Sequence, residues 1–256
     1  MAPLEARVTE DLSSLLFNLA SADRLSLLVE IGLRKQRLTD LSKGINASAQ
    51  ECSRHLTRLV DAGLVSKDSS GLYEMTPLGT ATQSLLPGFR FLLTHKEEFL
   101  SHDLSFLPPG FLERIGELSA GEHVSHFSQV LDHVKSTISG AREFVWLISD
   151  QPIVVGDIGT SFRSPDIPVR LISEPTVDPK FLSAVRAALP HSQIGALPDV
   201  RIGMAINEKA AGVCFPGLDA EIDFGMGFAG DDSRFRGWCA DLFEHYWSRS
   251  RKVTNL

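Results

Sequence analysis

The stretch "SAQECSRHLTRLVDAGLVSKDSSGLYEMTPLG", Ser48 to Gly79, decides how the first part of this chain folds. Ser48 and Glu51 stand three apart, the spacing of a capping box. There a hydroxyl satisfies one free backbone N–H at a helix start and a carboxylate reaches back to another. Cys52, Leu56, Leu59 and Val60 then recur at helical spacing on one face, with Gln50, Arg54, Thr57 and Arg58 on the other. Gly63 closes that helix. "LVSKDSSGLYEM" reads as two short strands around a turn at Asp68–Gly71. Thr76 and Pro77 form a cap followed by the favoured first-turn proline, so a further helix starts there and runs in pieces towards His102.

Working outward, apolar residues keep helical spacing from Asp11 to Leu33, with Ser21 restarting the helix as an N-cap. A short helix follows, with Thr39 as its cap, Leu41 inward and Gly44 as its stop. The order helix, helix, short helix, exposed helix, hairpin, helix is that of a winged helix-turn-helix. Pro108–Pro109–Gly110 breaks any helix, and the pattern changes beyond it. A helix is expected over Glu122–Ser139 and another opening at Asp178–Pro179. Strands are expected at Phe144–Ile148, Val169–Ile172, Val200–Ile206, in "AAGVCF" and in "AEIDFGM", before a last helix from Asp232 to Arg249. The expected fold is therefore an α+β winged helix-turn-helix domain, residues 1–105, followed by an α/β domain with a small mixed sheet, residues 106–256.

Composition bounds the function. At 43% hydrophobic and 22% charged residues the chain is ordinary globular protein. Its three cysteines, Cys52, Cys214 and Cys239, are widely spaced and form no CxxC, which supports neither a disulfide framework nor a zinc ribbon. With no apolar run of membrane length and a charged N-terminal stretch, a cytoplasmic protein without a membrane partner is expected. A net charge of −7 argues against nonspecific binding to polyanions. Yet between Arg34 and Lys67 seven basic residues face three acidic ones, a local +4.

That local charge coincides with the opening helix. The major groove of duplex DNA admits one α-helix, and its base edges are read by hydrogen bonds. A reading helix therefore needs an apolar face to dock it and a polar face of Arg, Gln, Ser and Thr. Ser48, Gln50, Ser53, Arg54, Thr57 and Arg58 are the candidate contacts from the helix. Arg54 and Arg58 suit guanine edges or phosphates, and Gln50 suits adenine. Lys67, Ser69 and Ser70 on the hairpin suit the backbone, which sets register without reading sequence.

"SRHLTRLVDAGLVSKDSSGLYEMTPLG" resembles the winged helix of ArsR- and MarR-like transcription regulators. "LPPGFLERIGELSAGEHV" and "GFAGDDSRFRGWCADLFEHYWSRS" resemble the bridging and terminal segments of archaeal regulators, of the methanogenesis-regulator type, that join such a module to an effector-sensing domain. The resemblance implies a dimeric, cytoplasmic transcription factor whose second domain senses a small-molecule effector or another signal, and a homodimer would set its two reading helices over a near-palindromic operator. ArsR-type metal sensing does not carry over, because Cys52 stands alone on the inward face.

Other motifs weigh less. "GMGFAG", Gly225–Gly230, satisfies G-x-G-x-x-G, but no parallel strand follows its helix, and Asp231 and Asp232 would repel a pyrophosphate. A tight strand-to-helix turn is the expectation. His123, His126 and His133 fall on one expected helix without meeting around one ion, so no metal site and no cofactor are expected. His133 and Lys135 match the start of the phospholipase-D signature HxKxxxxD, whose aspartate position is Gly140 here. No catalytic residue is identified and the chain is expected not to be an enzyme. Trp146, Arg170, Asp223, Phe224 and Trp238 are the candidate ligand contacts of the second domain. Two rival readings remain, an α/β enzyme and an adaptor, each using the winged helix for protein contacts.

Overall fold

The computed structural model describes residues 2–149, 166–175 and 192–253, with side chains from residue 7. The expected helix at Asp178–Pro179 lies outside the described residues. The chain divides into two compact units, Met1–Pro87 and Gly88–Leu256.

The smaller unit begins with α1 (Ala2–Leu19) and α2 (Ala22–Leu33), the latter capped by the Ser21 hydroxyl, which accepts the Arg24 N–H. Strand β1 (Gln36–Arg37) leads into α3 (Leu38–Gly44), whose N-cap is Arg37 rather than Thr39. Helix α4 (Ala49–Asp61), strands β2 (Val65–Lys67) and β3 (Leu72–Met75), and α5 (Pro77–Thr94) follow. The three strands form one antiparallel sheet in the order β1-β3-β2. Leu27, Leu28, Leu41, Leu56, Leu59 and Leu64 are fully buried in a single core. Each such side chain contributes about 1.5–3 kcal/mol through removal from water. Val60 departs from its expected inward place and stands exposed.

Helix α5 enters tightly. The Thr76 hydroxyl accepts the Gly79 N–H at 2.9 Å, and the Thr76 N–H donates to the Leu64 carbonyl at 3.1 Å. A Cβ on Gly79 would lie 2.0 Å from that same carbonyl oxygen, so only glycine fits this crossing. Pro87, inside α5, removes one helical N–H donor at the division between the units. The division thus falls earlier than the expected boundary after residue 105. Phe91, Phe99 and Leu104 explain the shift, since all three pack into the larger unit's core.

The larger unit holds α6 (Lys96–Ser101), α7 (Pro109–Glu113), a 3-10 turn at Ile115–Ala120, β4 (Glu122–Val124) and α8 (Phe127–Gly140). Strands β5 (Val145–Ile148), β6 (Val169–Ser173), β7 (Ser192–Ala196), β8 (Gly203–Ile206), β9 (Ala211–Pro216) and β10 (Ile222–Gly230) follow, then α9 (Ser233–Arg249) and β11 (Arg251–Lys252). The described strands assemble in the order β11-β7-β6-β5-β8-β9-β10-β4, eight in all, so the sheet is larger than expected. β5, β6 and β7 are parallel, and every other pairing is antiparallel. Alternation along β5 and β6 sends Val145, Leu147, Val169 and Leu171 to a core shared with Ile138 of α8. Ile148 and Ile172 go instead to the core filled by Trp238, Leu242 and Phe243 of α9. The molecule is a mixed α/β protein. No single helix among the described residues is long and apolar enough to cross a membrane.

Three local expectations change. The single helix over Glu122–Ser139 is a strand, β4, and then a helix, α8, which puts His123 on a sheet edge. The glycines of "GMGFAG" lie inside β10 rather than in a turn. Strands β7 and β11 had no counterpart in the sequence reading.

Candidate nucleic-acid interface

Helix α4 begins with a complete capping box. The Glu51 N–H donates to the Ser48 hydroxyl at 3.2 Å, and the Ser48 N–H donates to the Glu51 carboxylate at 3.1 Å. The Ser48 hydroxyl also donates to that carboxylate at 2.7 Å, and these bonds, the side-chain one foremost, hold the Glu51 carboxyl below its ordinary pKa. Cys52, Leu56 and Leu59 are fully buried, which fixes the rotation of the helix about its axis. Gln50, Arg54, Thr57 and Arg58 are thereby exposed, with Ser53 half-buried at the edge of that face. Neither Arg54 nor Arg58 has an ion pair or a side-chain hydrogen bond among the described residues. The Thr57 hydroxyl donates to the Ser53 carbonyl at 3.0 Å, which leaves its oxygen free to accept.

The hairpin after α4 is held by Asp68. One of its carboxylate oxygens accepts the Ser70 N–H and the Leu72 N–H, each at 2.9 Å, and the Ser70 hydroxyl at 2.7 Å. Gly71 completes the turn at φ +82°, where a side chain would be strained. Lys67, Ser69 and Ser70 are exposed at this tip. Lys67 carries its ammonium 5.4 Å from the Tyr73 ring centroid. The residues expected to meet DNA therefore share the outer surface of one helix and one hairpin tip.

The candidate ligand residues of the larger unit do not form one group. Trp146 and Arg170 are register partners on β5 and β6. The Arg170 guanidinium lies 5.3 Å from the centroids of both Trp146 and Trp247, and donates to Glu244 at 2.7 Å. Asp223 is elsewhere, against the His102 Nε2 at 3.1 Å, and it accepts the Gly225 N–H at 2.6 Å. Trp238 is core, with its indole N–H donating to the Phe111 carbonyl at 3.1 Å.

Phe224 lines a cavity under α8, with Val130, Thr137, Gly212 and Cys214 also in its wall. Its volume is about 40 Å³, room for a few waters, whereas pockets for drug-sized ligands run to about 300–1,000 Å³. Burial pushes the Cys214 thiol up to about 12, so it is no thiolate near neutral pH.

His95, Glu98 and His123 form a cluster that the sequence reading missed. A three-residue strand is too short to show periodicity. Gly121, a poor helix former immediately before this stretch, is a sequence signal that the helix starts later.

No protein-family model matches this chain, and no curated protein matches it. Several solved structures align with this chain at low identity and low TM-score. TrmBL2, described as an archaeal chromatin protein with a novel mode of DNA binding, is 14% identical at a TM-score of 0.40, covering 91% of this chain and 94% of its own. NucT from Helicobacter pylori is 15% identical at a TM-score of 0.39, covering 50% of this chain and 92% of its own. The dimethyltransferase RosA from Streptomyces davawensis is 13% identical at a TM-score of 0.30, covering 78% and 67%. O-methyltransferases recur among the similar chains. With enzymes in that set, the expectation that the chain is not an enzyme is corrected: that exclusion does not stand.

Proposed function

We propose that the protein is a sequence-specific, DNA-binding transcription regulator, with a winged helix-turn-helix in its smaller unit and a signal-responsive larger unit. The observation that carries this reading is the orientation of α4. Its three fully buried residues turn Gln50, Arg54 and Arg58 outward, and the hairpin tip with Lys67 follows at once. In this reading α4 enters the major groove, Arg54 and Arg58 take guanine edges or phosphates, and the hairpin rests on the backbone.

The protein acts as a homodimer. Val8, Leu12 and Leu16 recur every fourth residue along α1 and stay exposed, as do Leu78 and Leu85 on α5. A second copy covers these apolar faces and sets two reading helices roughly 34 Å apart on a near-palindromic operator. Trp146 and Arg170, which are adjacent, are the effector contacts favoured by geometry.

Fluorescence anisotropy with duplexes tiling the protein's own promoter tests the reading. Binding should be saturable, specific for one duplex, and should weaken steeply with salt as counterions are released. Absence of any preferred duplex at moderate salt overturns it.

A further inference from the structure

The larger unit brings together three side chains from two separate places in the chain. His95 directly follows α5 and caps α6, Glu98 lies one turn on in α6, and His123 is the middle residue of edge strand β4. Each offers a ligand atom, and these atoms all lie within 4.8 Å of one another. The closest approach of His123 to Glu98 is 3.7 Å, from Nδ1 to Oε1. Bonds of about 2.0–2.2 Å in a tetrahedral site put neighbouring ligand atoms about 3.3 Å apart. Small rotations of the three side chains therefore close the set around one ion.

The surroundings hold the two imidazoles in place. His95 packs edge-on against Phe228 at 4.8 Å between centroids and against Phe91 at 5.0 Å. His123 is the register partner of Phe228, with ring centroids 5.4 Å apart. Phe91 and Phe228 are buried, so one side of the cluster is a fixed apolar wall, which limits water access and fixes ring orientation. The other side is open, with about a quarter of the His123 and Glu98 side chains exposed.

We propose that His95, Glu98 and His123 bind a divalent transition-metal ion of the zinc class. Two imidazole nitrogens and one carboxylate oxygen are borderline donors. They suit Zn²⁺, Co²⁺ or Ni²⁺ and do not suit Ca²⁺ or Mg²⁺, which prefer all-oxygen sets. Three protein ligands leave one tetrahedral position for water or an exogenous ligand, which enters from the open side. The ion also fastens α6 to the sheet edge, since two ligands flank the start of α6 and the third is on β4. The inference is independent of DNA binding by the smaller unit.

The test uses the full chain without a histidine tag, stripped with chelator and titrated with Co²⁺. The parent should take up one equivalent with the visible absorption of a low-symmetry site, and Zn²⁺ should displace it. Glu98→Gln and His123→Gln, both at half-exposed positions, should each weaken Co²⁺ binding by at least ~10-fold. His126→Gln with His133→Gln should leave it unchanged. A parent that binds no Co²⁺, or ligand variants that bind like the parent, overturns the site. X-ray absorption on the parent complex decides the matter even if a variant misfolds. Two imidazoles with oxygen donors support the assignment, and sulfur in the first shell overturns it.

Discussion

Two arginines of the smaller unit and two of the larger unit are treated in opposite ways. On α4, Arg54 and Arg58 point outward and, among the described residues, meet no carboxylate at ion-pair distance. In the larger unit Arg170 lies against two indoles and donates to Glu244 at 2.7 Å. Arg114 donates to both carboxylate oxygens of Glu117 at 3.0 and 2.9 Å, and to Asp241 at 2.7 Å. Those bonds hold the Arg114 guanidinium even further above its ordinary pKa. An arginine already forked onto carboxylates must break those bonds before it can take a phosphate or a base edge. Arg54 and Arg58 need break nothing. The contrast separates arginines already engaged inside the fold, among them Arg170, whose proposed effector must first displace Glu244, from arginines that await a partner.

The comparison breaks first if the units are not separate folding bodies. Trp238→Ala removes a fully buried indole and should destabilise the larger unit by about 3–5 kcal/mol, and Leu56→Ala should cost the smaller unit about 2–5 kcal/mol. Hydrogen exchange read by mass spectrometry should show protection lost mainly within residues 88–256 for the first and 1–87 for the second. Loss spread evenly along the chain in both variants would contradict the division at Pro87.

The arginines themselves sharpen it. Arg54→Ala and Arg58→Ala should each weaken operator binding by about 1–3 kcal/mol, the range for a base-reading contact, with unchanged melting temperature. Arg114→Ala should do the reverse, leaving DNA affinity intact while lowering the melting temperature. Anisotropy and calorimetry on the same preparations check both halves. Equal DNA-binding losses in all three variants would reduce the effect to bulk charge.

Coupling between the units is the next test. Trp146, Trp238 and Trp247 are the chain's three tryptophans, and all lie in the larger unit. Indole emission therefore reports on that unit alone. An effector that controls DNA binding should change this emission and shift operator affinity by about 1–3 kcal/mol, and saturating operator must shift the effector's affinity by the same factor. A compound bound equally well with and without operator is no effector.

The two units were also unequally legible in the sequence. In the smaller unit, Ser48 with Glu51, the spacing of Cys52, Leu56 and Leu59, and the Asp68–Gly71 turn are local signals, each complete within a few residues. All three form as read. Thr39 failed as a cap because α3 begins one residue before it, at Leu38. In the larger unit the decisive partners are far apart in sequence. Arg170 finds Glu244, Asp223 finds His102, and His123 finds Glu98 only through an eight-stranded sheet whose order no local pattern encodes. Short strands such as β4 and β11 carry too few residues to show alternation.

The smallest expected effect concerns how α4 is started, compared with α9. Both helices have a side-chain cap, but only α4 has the reciprocal carboxylate. Asp232 caps α9 by accepting the Arg234 N–H at 2.8 Å and the Phe235 N–H at 3.4 Å, and Phe235 at the third helical position returns nothing. In α4 the Glu51 carboxylate accepts from Ser48, so its folded pKa lies below the ordinary 4.5. A carboxylate whose pKa is depressed on folding contributes stability that is fully present above the unfolded value. That contribution fades as the pH falls through the lower folded value. The start of α4 should therefore be insensitive to pH from neutrality down to about 4.5 and loosen only below it. Ser48→Ala removes the hydroxyl that accepts the Glu51 N–H, so the first turn should be weaker at every pH and its acid dependence smaller. The shifts of the Glu51 and Cys52 amides, followed by NMR through an acid titration of parent and variant, measure both effects. Superimposable titrations in the two proteins would show that the capping box adds nothing to the presentation of α4. The buried Cys52–Leu56–Leu59 face alone would then hold the arginines outward.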